Sequence, residues 1–152
     1  MNVHLKVEHS TDIDKWIAEN HYLHTVPAGA KIRMRFVDDN GNTIGAMMWG
    51  RNPSPKADQD SQLCLTRMYF IDDTERCVES HALSMARKHI RKYYPQIKGV
   101  VAYSSSGAGH EGVVYLADGW FNVSTTKNGC CDMRNGRKNV DTSSKTKWVR
   151  TP

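Results

Sequence analysis

The stretch LCLTRMYFIDDTERCVESHALSMARKHIRKYYPQIKGVVAYS, residues 63–104, decides the fold, because it reads as a strand, a long helix and a second strand. Apolar and β-favouring residues fill both ends of the stretch. The middle carries acidic residues early, basic residues late and Pro95 as a stop signal, and Asp72, Asp73 or Thr74 is the predicted cap. One predicted helix face consists of Val78, Ala82, Met85, Ala86 and Ile90. A strand–helix–strand crossover is right-handed, so we expect the two strands to be parallel.

The flanking segments extend this unit on both sides. Residues 11–20 predict a short amphipathic helix, capped by Thr11 or Asp12, with Ile13, Trp16 and Ile17 on one face. Residues 31–50 predict a β-hairpin that turns at 39–42. After the glycine-rich loop that follows residue 104, the sequence predicts a helix from about Glu111 to Ala117 and a strand over 120–124. The predicted fold class is α/β: a mixed sheet with an antiparallel N-terminal hairpin and a parallel βαβ unit.

The positive charge is concentrated near the C-terminus. The 152 residues carry a net charge of +5, and residues 127–152 hold seven basic and two acidic residues, so this segment accounts for all of it. We divide the chain into a domain over 1–126 and a basic segment over 127–152 that packs on or extends the same domain. The basic segment is either a polyanion-binding surface or a solvated tail. Its candidate DNA contacts are Lys127, Arg134, Arg137 and Lys138.

Cysteine usage and hydropathy point to a reduced, cytoplasmic setting. Apolar runs stay far below the roughly 20 residues of a membrane span, and the first ten residues lack the apolar core of a signal peptide. The four cysteines form no CxxC motif, and Cys130 and Cys131 are adjacent. These patterns indicate neither a disulfide framework nor a zinc site, and they predict no membrane partner.

Three motifs resemble the bacteriophage Mom family: HYLHTVP (21–27), LTRMYFIDDTERCVESHALSMARKHIRK (65–92) and VAYSSSGAGHEGVVYLADGW (101–120). That family is related to the GNAT acyltransferases and modifies adenine in phage DNA, which protects the DNA from host restriction. The resemblance implies a GNAT fold in which the strands flanking the long helix splay apart and hold an acyl donor such as acetyl-CoA. It also implies duplex DNA as a partner and the cytoplasm of the host cell as the location. The oligomeric state stays open.

The resemblance and the residue chemistry together suggest catalytic and donor-binding residues. The candidate catalytic residues are Arg67, Ser105 and Tyr115, and those for the cofactor are Arg76, Glu79, Ser80, Tyr103 and Ser104. Arg67 is alternatively a structural ion-pair partner, and Tyr115 is either a general acid or a packed core tyrosine. Glu79 and His81 stand where the GNAT pattern has glycines, which adds a negative charge near a helix N-terminus that would receive a pyrophosphate.

Histidines and tryptophans supply the remaining candidates. The predicted substrate-binding residues are His21, Tyr22, His24 and His110, and His24 is also a candidate ligand for an iron ion. Trp49 and Trp120 either stack on a flipped base or belong to the core. Besides DNA modification, two functions remain: a GNAT N-acetyltransferase acting on a small amine, a protein or RNA, and a non-catalytic GNAT-fold binding protein.

Overall fold

The computed structural model describes residues 3–8, 11–20, 30–52, 58–71, 77–105, 112–125 and 145–152. These residues form a seven-stranded sheet flanked by three helices. The strands are β1 (His4–Glu8), β2 (Ile32–Val37), β3 (Thr43–Gly50), β4 (Gln62–Phe70), β5 (Gly99–Ser105), β6 (Phe121–Thr125) and β7 (Lys145–Arg150). The helices are α1 (Asp12–Asn20), α2 (Val78–Tyr93) and α3 (Val113–Ala117).

The sheet has the order β1-β2-β3-β4-β5-β7-β6 and is antiparallel except between β4 and β5. The predicted hairpin is confirmed as β2 and β3, whose turn is closed by Asp38 and by Gly41 at φ +82°. The predicted parallel βαβ unit is confirmed as β4, α2 and β5. Two strands were not predicted, β1 at one edge and β7 between β5 and β6.

The predicted cap of α2 is wrong, because the helix begins at Val78 and not just after residues 72–74. Cys77 precedes it with a left-handed backbone at φ 68°, a conformation that does not continue into a right-handed helix. Similarly, α3 begins at Val113 and not near Glu111, because Gly112 is left-handed at φ +79°.

The sheet separates two apolar layers of unequal size. The face under α2 and α3 carries the main core, which includes Trp49, Leu83 and Trp148. The face under α1 carries a smaller cluster of Ile13, Ile17, Ala46 and Met48, with Trp16 packed at its side as predicted. We call these two sides the α2 face and the α1 face.

A buried ion pair ties α2 to the far half of the sheet. Arg87 and Asp118, 7% and 9% exposed, form two hydrogen bonds of 2.7 Å each, from Nε to Oδ2 and from Nη2 to Oδ1. Trp120 Nε1 donates to the same carboxylate at 2.8 Å, and Arg150 donates to the Asp118 carbonyl. The end of α3 and the strands β6 and β7 are thereby fixed to α2.

Within the described residues, every helix is too short or too polar to cross a membrane.

Candidate functional site

The sheet divides in its middle, where β4 and β5 stop pairing. Their parallel ladder runs from Gln62 opposite Gly99 to Leu65 opposite Ala102. Beyond that point β4 stays paired with β3 as far as Phe70, and β5 stays paired with β7 as far as Ser105. The two strands therefore diverge and leave a gap between residues 66–70 and residues 103–105. The predicted splay is confirmed, and its walls are the sheet edges that a ligand would contact.

A β-bulge at Thr66 redirects the side chains of β4 beside this gap. Met48 lies opposite Arg67 and Trp49 opposite Leu65, so Thr66 is an extra residue. Its hydroxyl donates to the Met48 carbonyl at 3.0 Å. Strict alternation along β4 would therefore assign the wrong faces: Leu65 and Phe70 share the α2 face, although one is odd-numbered and the other even-numbered.

Arg67 lies on the α1 face at the start of the gap. It pairs across the ladder with Met48, a member of the cluster under α1. Its side chain is half-buried, and Nη1 donates to the Thr66 carbonyl at 2.7 Å. The bulge thus places a guanidinium where β4 separates from β5, as a candidate anion-binding group.

Tyr103 is the first residue of β5 beyond the parallel ladder, and it also lies on the α1 face. Ala102 before it belongs to the core on the opposite face, so alternation turns Tyr103 away. Its hydroxyl donates to Asn52 Oδ1 at 3.2 Å. Burial raises the pKa of the Tyr103 phenol, which keeps it protonated and able to donate near neutral pH.

A buried thiol, Cys64, lies on β4 just before the gap begins. Burial raises the pKa of Cys64 to about 12, against the attraction of the positively charged Lys147 and Arg67 for its thiolate. Cys64 therefore stays a neutral thiol, which is unsuited to nucleophilic attack.

Ser104 and Ser105 end β5 on the far side of the gap. Ser104 is buried on the α2 face, where its hydroxyl accepts a hydrogen bond from Trp148 Nε1 at 2.9 Å. Ser105 is the last residue of the strand and pairs with Lys145. The two predicted site residues thus lie at the strand end that borders the gap.

Tyr115 is held between two tryptophans on the α2 face. It is 8% exposed, and its ring centroid lies 5.3 Å from that of Trp120 and 5.9 Å from that of Trp148. Gly112 makes this packing possible, because a Cβ on it would overlap the Trp148 indole. Since Trp148 lies opposite Ala102 in the ladder, Tyr115 sits at the level where the gap begins.

Glu79 and Ser80 lie in the first turn of α2, both half-buried. Ser80 Oγ donates to the Cys77 carbonyl at 3.1 Å, which stabilises the left-handed turn before the helix. Glu79 places a carboxylate beside the helix N-terminus, as the sequence indicated. The structure therefore brings both residues to the end of the helix that follows β4.

Several predicted site residues lie outside the described part of the chain. They are Arg76, His21, Tyr22, His24, His110, Lys127, Arg134, Arg137 and Lys138. In the ranges that are described, no three His, Cys, Asp or Glu side chains are grouped to hold a metal ion, so the proposed iron has no support there. Trp49 and Trp120 are 0% and 3% exposed, which places both in the core and not on a base-stacking surface.

Three site residues were missed from the sequence: Asn52, Lys147 and Trp148. Trp148 lies in KTKWVR, where threonine, tryptophan and valine favour a strand, and this signal could have predicted β7. Asn52 follows β3 and has no comparable local signal. Gln59 fixes it by accepting from its backbone N–H at 2.9 Å and donating to its carbonyl at 3.0 Å.

Comparisons with known proteins agree with this geometry. The model of the Mom protein family matches residues 4–151. The protein named methylcarbamoylase mom, from Escherichia phage Mu, is 34% identical over 82 residues, which cover 49% of this chain and 34% of the relative. The matched region therefore spans about a third of that relative's length.

Solved structures with a similar fold are acetyltransferases. Arabidopsis thaliana NAA60 in complex with acetyl-CoA has a TM-score of 0.66 at 12% identity, covering 99% of this chain and 98% of that one. Mutant forms of the spermidine/spermine N-acetyltransferase SpeG from Vibrio cholerae give 0.66 at 8% identity, with 99% and 95% covered. A GNAT-family acetyltransferase from Bacillus anthracis gives 0.58 at 10% identity, with 78% and 65% covered. The predicted GNAT-like fold is confirmed.

Proposed function

This chain belongs to the Mom protein family, and on that premise we propose that it is a transferase that modifies the exocyclic amine of adenine in DNA. The proposed product is a carbamoylmethyl-type adenine, and its proposed role is to protect phage DNA from restriction. The name of the phage Mu relative, a methylcarbamoylase, supports this class of reaction.

The gap between β4 and β5 is the observation that carries the proposal. Its two strand edges no longer pair with each other beyond Leu65 and Ala102. The arm of coenzyme A that carries the acyl group is extended and contains amide groups. It can hydrogen-bond to these unpaired strand edges in the way that an additional β-strand would. The amide portion of the donor therefore fits the gap. Its phosphates fit less well, because Glu79 brings negative charge to the first turn of α2.

The donor, when bound, supplies the activated group that is transferred. The chain's own residues orient the two reactants and handle charge and protons. Arg67 binds negative charge on the α1 face, where burial increases the strength of its electrostatic interactions. Tyr103 keeps its proton and presents a hydrogen-bond donor beside the gap. Ser105 is the last residue of β5, at the edge of the gap.

Tyr115 is the proposed proton donor for the leaving group. Its position between Trp120 and Trp148 fixes the ring at the level where β4 and β5 diverge. A fixed phenol loses little freedom in the reaction, which favours general acid catalysis. Adenine in a duplex must leave the base stack to reach such a site, so the enzyme would act on a flipped base.

The test is mass spectrometry of nucleosides from the DNA of cells that express the chain. We expect a heavier deoxyadenosine with the wild type, and its loss in Arg67→Ala and Tyr115→Phe. Matched controls on α2 are Arg91→Ala and Tyr93→Phe, whose exposed side chains lie away from the gap. Unmodified deoxyadenosine in cells that contain folded wild-type protein would refute the proposal.

An N-acetyltransferase that acts on a small amine, a protein or RNA is the second candidate. It is favoured by the acetyltransferases among the similar solved structures. Its signature would be release of free coenzyme A when acetyl-CoA is mixed with spermidine, a peptide or RNA in the absence of DNA.

A non-catalytic binding protein is the third candidate, favoured by Glu79 at the helix N-terminus and by the tight packing of Tyr115. In that case calorimetry would detect no binding of acetyl-CoA, and nucleosides would stay unmodified.

A further inference from the structure

Arg67 on β4, Tyr103 on β5 and Lys147 on β7 lie on the α1 face of three neighbouring strands, and we call them the cationic row. Lys147 on β7 is directly opposite Tyr103 in the antiparallel ladder, so their side chains share a face. Arg67 is opposite Met48, which packs under α1 on that same face. The gap between β4 and β5 lies between Arg67 and Tyr103. The row therefore places one cation on each side of the gap.

Lys147 has no neutralising carboxylate among the described residues, in contrast to two arginines on the α1 face. Arg33 is paired with Asp14 at 2.8 Å, and Arg35 is paired with Glu8. Among the described residues, Lys147 forms no ion pair although it is half-buried. The charges of Lys147 and Arg67 both lower the pKa of the Cys64 thiol, against the larger effect of burial. The α1 face at the gap is thus positive and suited to an anion.

We assign the donor and the acceptor to opposite faces of the sheet. Helix α2, whose N-terminus is the predicted site for the donor's phosphates, packs on the α2 face through Val78 and Ala82. The cationic row lies on the opposite face, so its natural ligand is the acceptor. The acceptor under the proposed function is DNA, which carries a phosphate beside every base.

We propose that Lys147 is a phosphate-binding residue that, together with Arg67, holds the phosphodiester next to the target base against the α1 face of the gap. This inference rests on the proposed function and adds a positioning residue to it. The contact is with the DNA backbone, so it is independent of base sequence and depends on salt.

The experiment compares the full chain as wild type, Lys147→Gln, Lys147→Arg and Lys88→Gln. Lys88 is an exposed lysine of α2, so it controls for the loss of one positive charge. Anisotropy of a labelled duplex is measured between about 50 and about 200 mM salt. We expect Lys147→Gln to weaken binding and to reduce the slope of log K against log salt by about 1. Lys88→Gln should keep the slope, and Lys147→Arg should restore it.

Calorimetry with acetyl-CoA tests whether Lys147 binds a phosphate of the DNA or a phosphate of the donor. Lys147→Gln should bind acetyl-CoA as the wild type does, because the donor lies on the other face. Reduced acetyl-CoA binding with an unchanged DNA slope would overturn the inference and assign Lys147 to the donor. Circular dichroism verifies that each variant is folded.

The outcomes also separate this inference from the proposed function. A wild type that modifies deoxyadenosine, with an unchanged slope in Lys147→Gln, refutes the role of Lys147 alone. A wild type that neither binds nor modifies DNA refutes both.

Discussion

Replacing Arg87 by methionine tests the buried ion pair that holds the two halves of the fold together. The substitution keeps most of the side-chain volume but removes two charge-assisted hydrogen bonds of 2.7 Å. Asp118 is then left as a buried carboxylate whose remaining side-chain donor is Trp120 Nε1. Breaking such a pair on one side costs about 3–5 kcal/mol. A cost near 4 kcal/mol corresponds to a urea midpoint lowered by about 2 M, for a slope of about 2 kcal/mol/M.

The assay is urea unfolding followed by circular dichroism and by tryptophan fluorescence. Arg91→Met on the same helix is the matched control, since Arg91 is exposed and its guanidinium donates to the Pro152 carbonyl at 3.3 Å. We expect that control to change the free energy of unfolding by less than about 0.5 kcal/mol. Equal small losses in both variants would refute the argument that the Arg87–Asp118 pair connects α2 to the far half of the sheet.

Three further predictions concern the left-handed glycines, a buried thiol and a histidine of α2. Gly112→Ala should destabilise the fold by more than Gly41→Ala in thermal unfolding, because both glycines have positive φ but only at Gly112 does a Cβ meet an indole. The left-handed backbone alone costs about 1 kcal/mol, so the excess measures the steric overlap. The pKa of Cys64 is raised to about 12, so the stability that its protonated thiol contributes is full below the unfolded value near 9 and is lost as pH rises towards 12. Cys64→Ala should therefore lose less stability over that range, and an equal loss would contradict the assignment. Burial and Lys92 lower the pKa of His89, so the stability that its neutral ring contributes is full above pH 6.5 and falls on acidification. His89→Gln should show a smaller loss of stability between about pH 7 and pH 5. An unchanged loss would show that His89 does not contribute.

Elements built from local patterns could be predicted from the sequence. The hairpin has alternating apolar residues around Asn40-Gly41, and α1 has Ile13, Trp16 and Ile17 at helical spacing. The βαβ unit follows from the long apolar face of α2 and the handedness of crossovers. In each case one segment of chain contains the whole signal.

Features that depend on contacts between distant segments could not be predicted in this way. The bulge at Thr66 inserts one residue into β4 without changing its composition, so an alternating pattern does not show which side chains share a face. Arg87 and Asp118 are 31 residues apart, so no local pattern indicates that they pair. Strand β7 was not predicted, because the basic residues around Trp148 make its segment resemble a charged tail more than a strand.

The same limit applied to the candidate site. The sequence left Tyr115 open as a general acid or a packed core tyrosine, because its burial depends on Trp148 from the separate basic segment 127–152. Lys147 was counted only as charge until the register placed it beside Tyr103. A site formed by β4, β5 and β7 is therefore recognisable from sequence only strand by strand.

The position of β7 between β5 and β6 also constrains how the protein folds during synthesis. Among the described strands β7 is the last in chain order, yet it pairs with strands on both sides. Until residues 145–150 have left the ribosome, β6 has no neighbour in the sheet and the second edge of β5 is unpaired. The nascent chain thus exposes a strand edge prone to aggregation until β7 has been made. Tyr115, which packs against Trp148, reaches its final surroundings only when β7 joins the sheet.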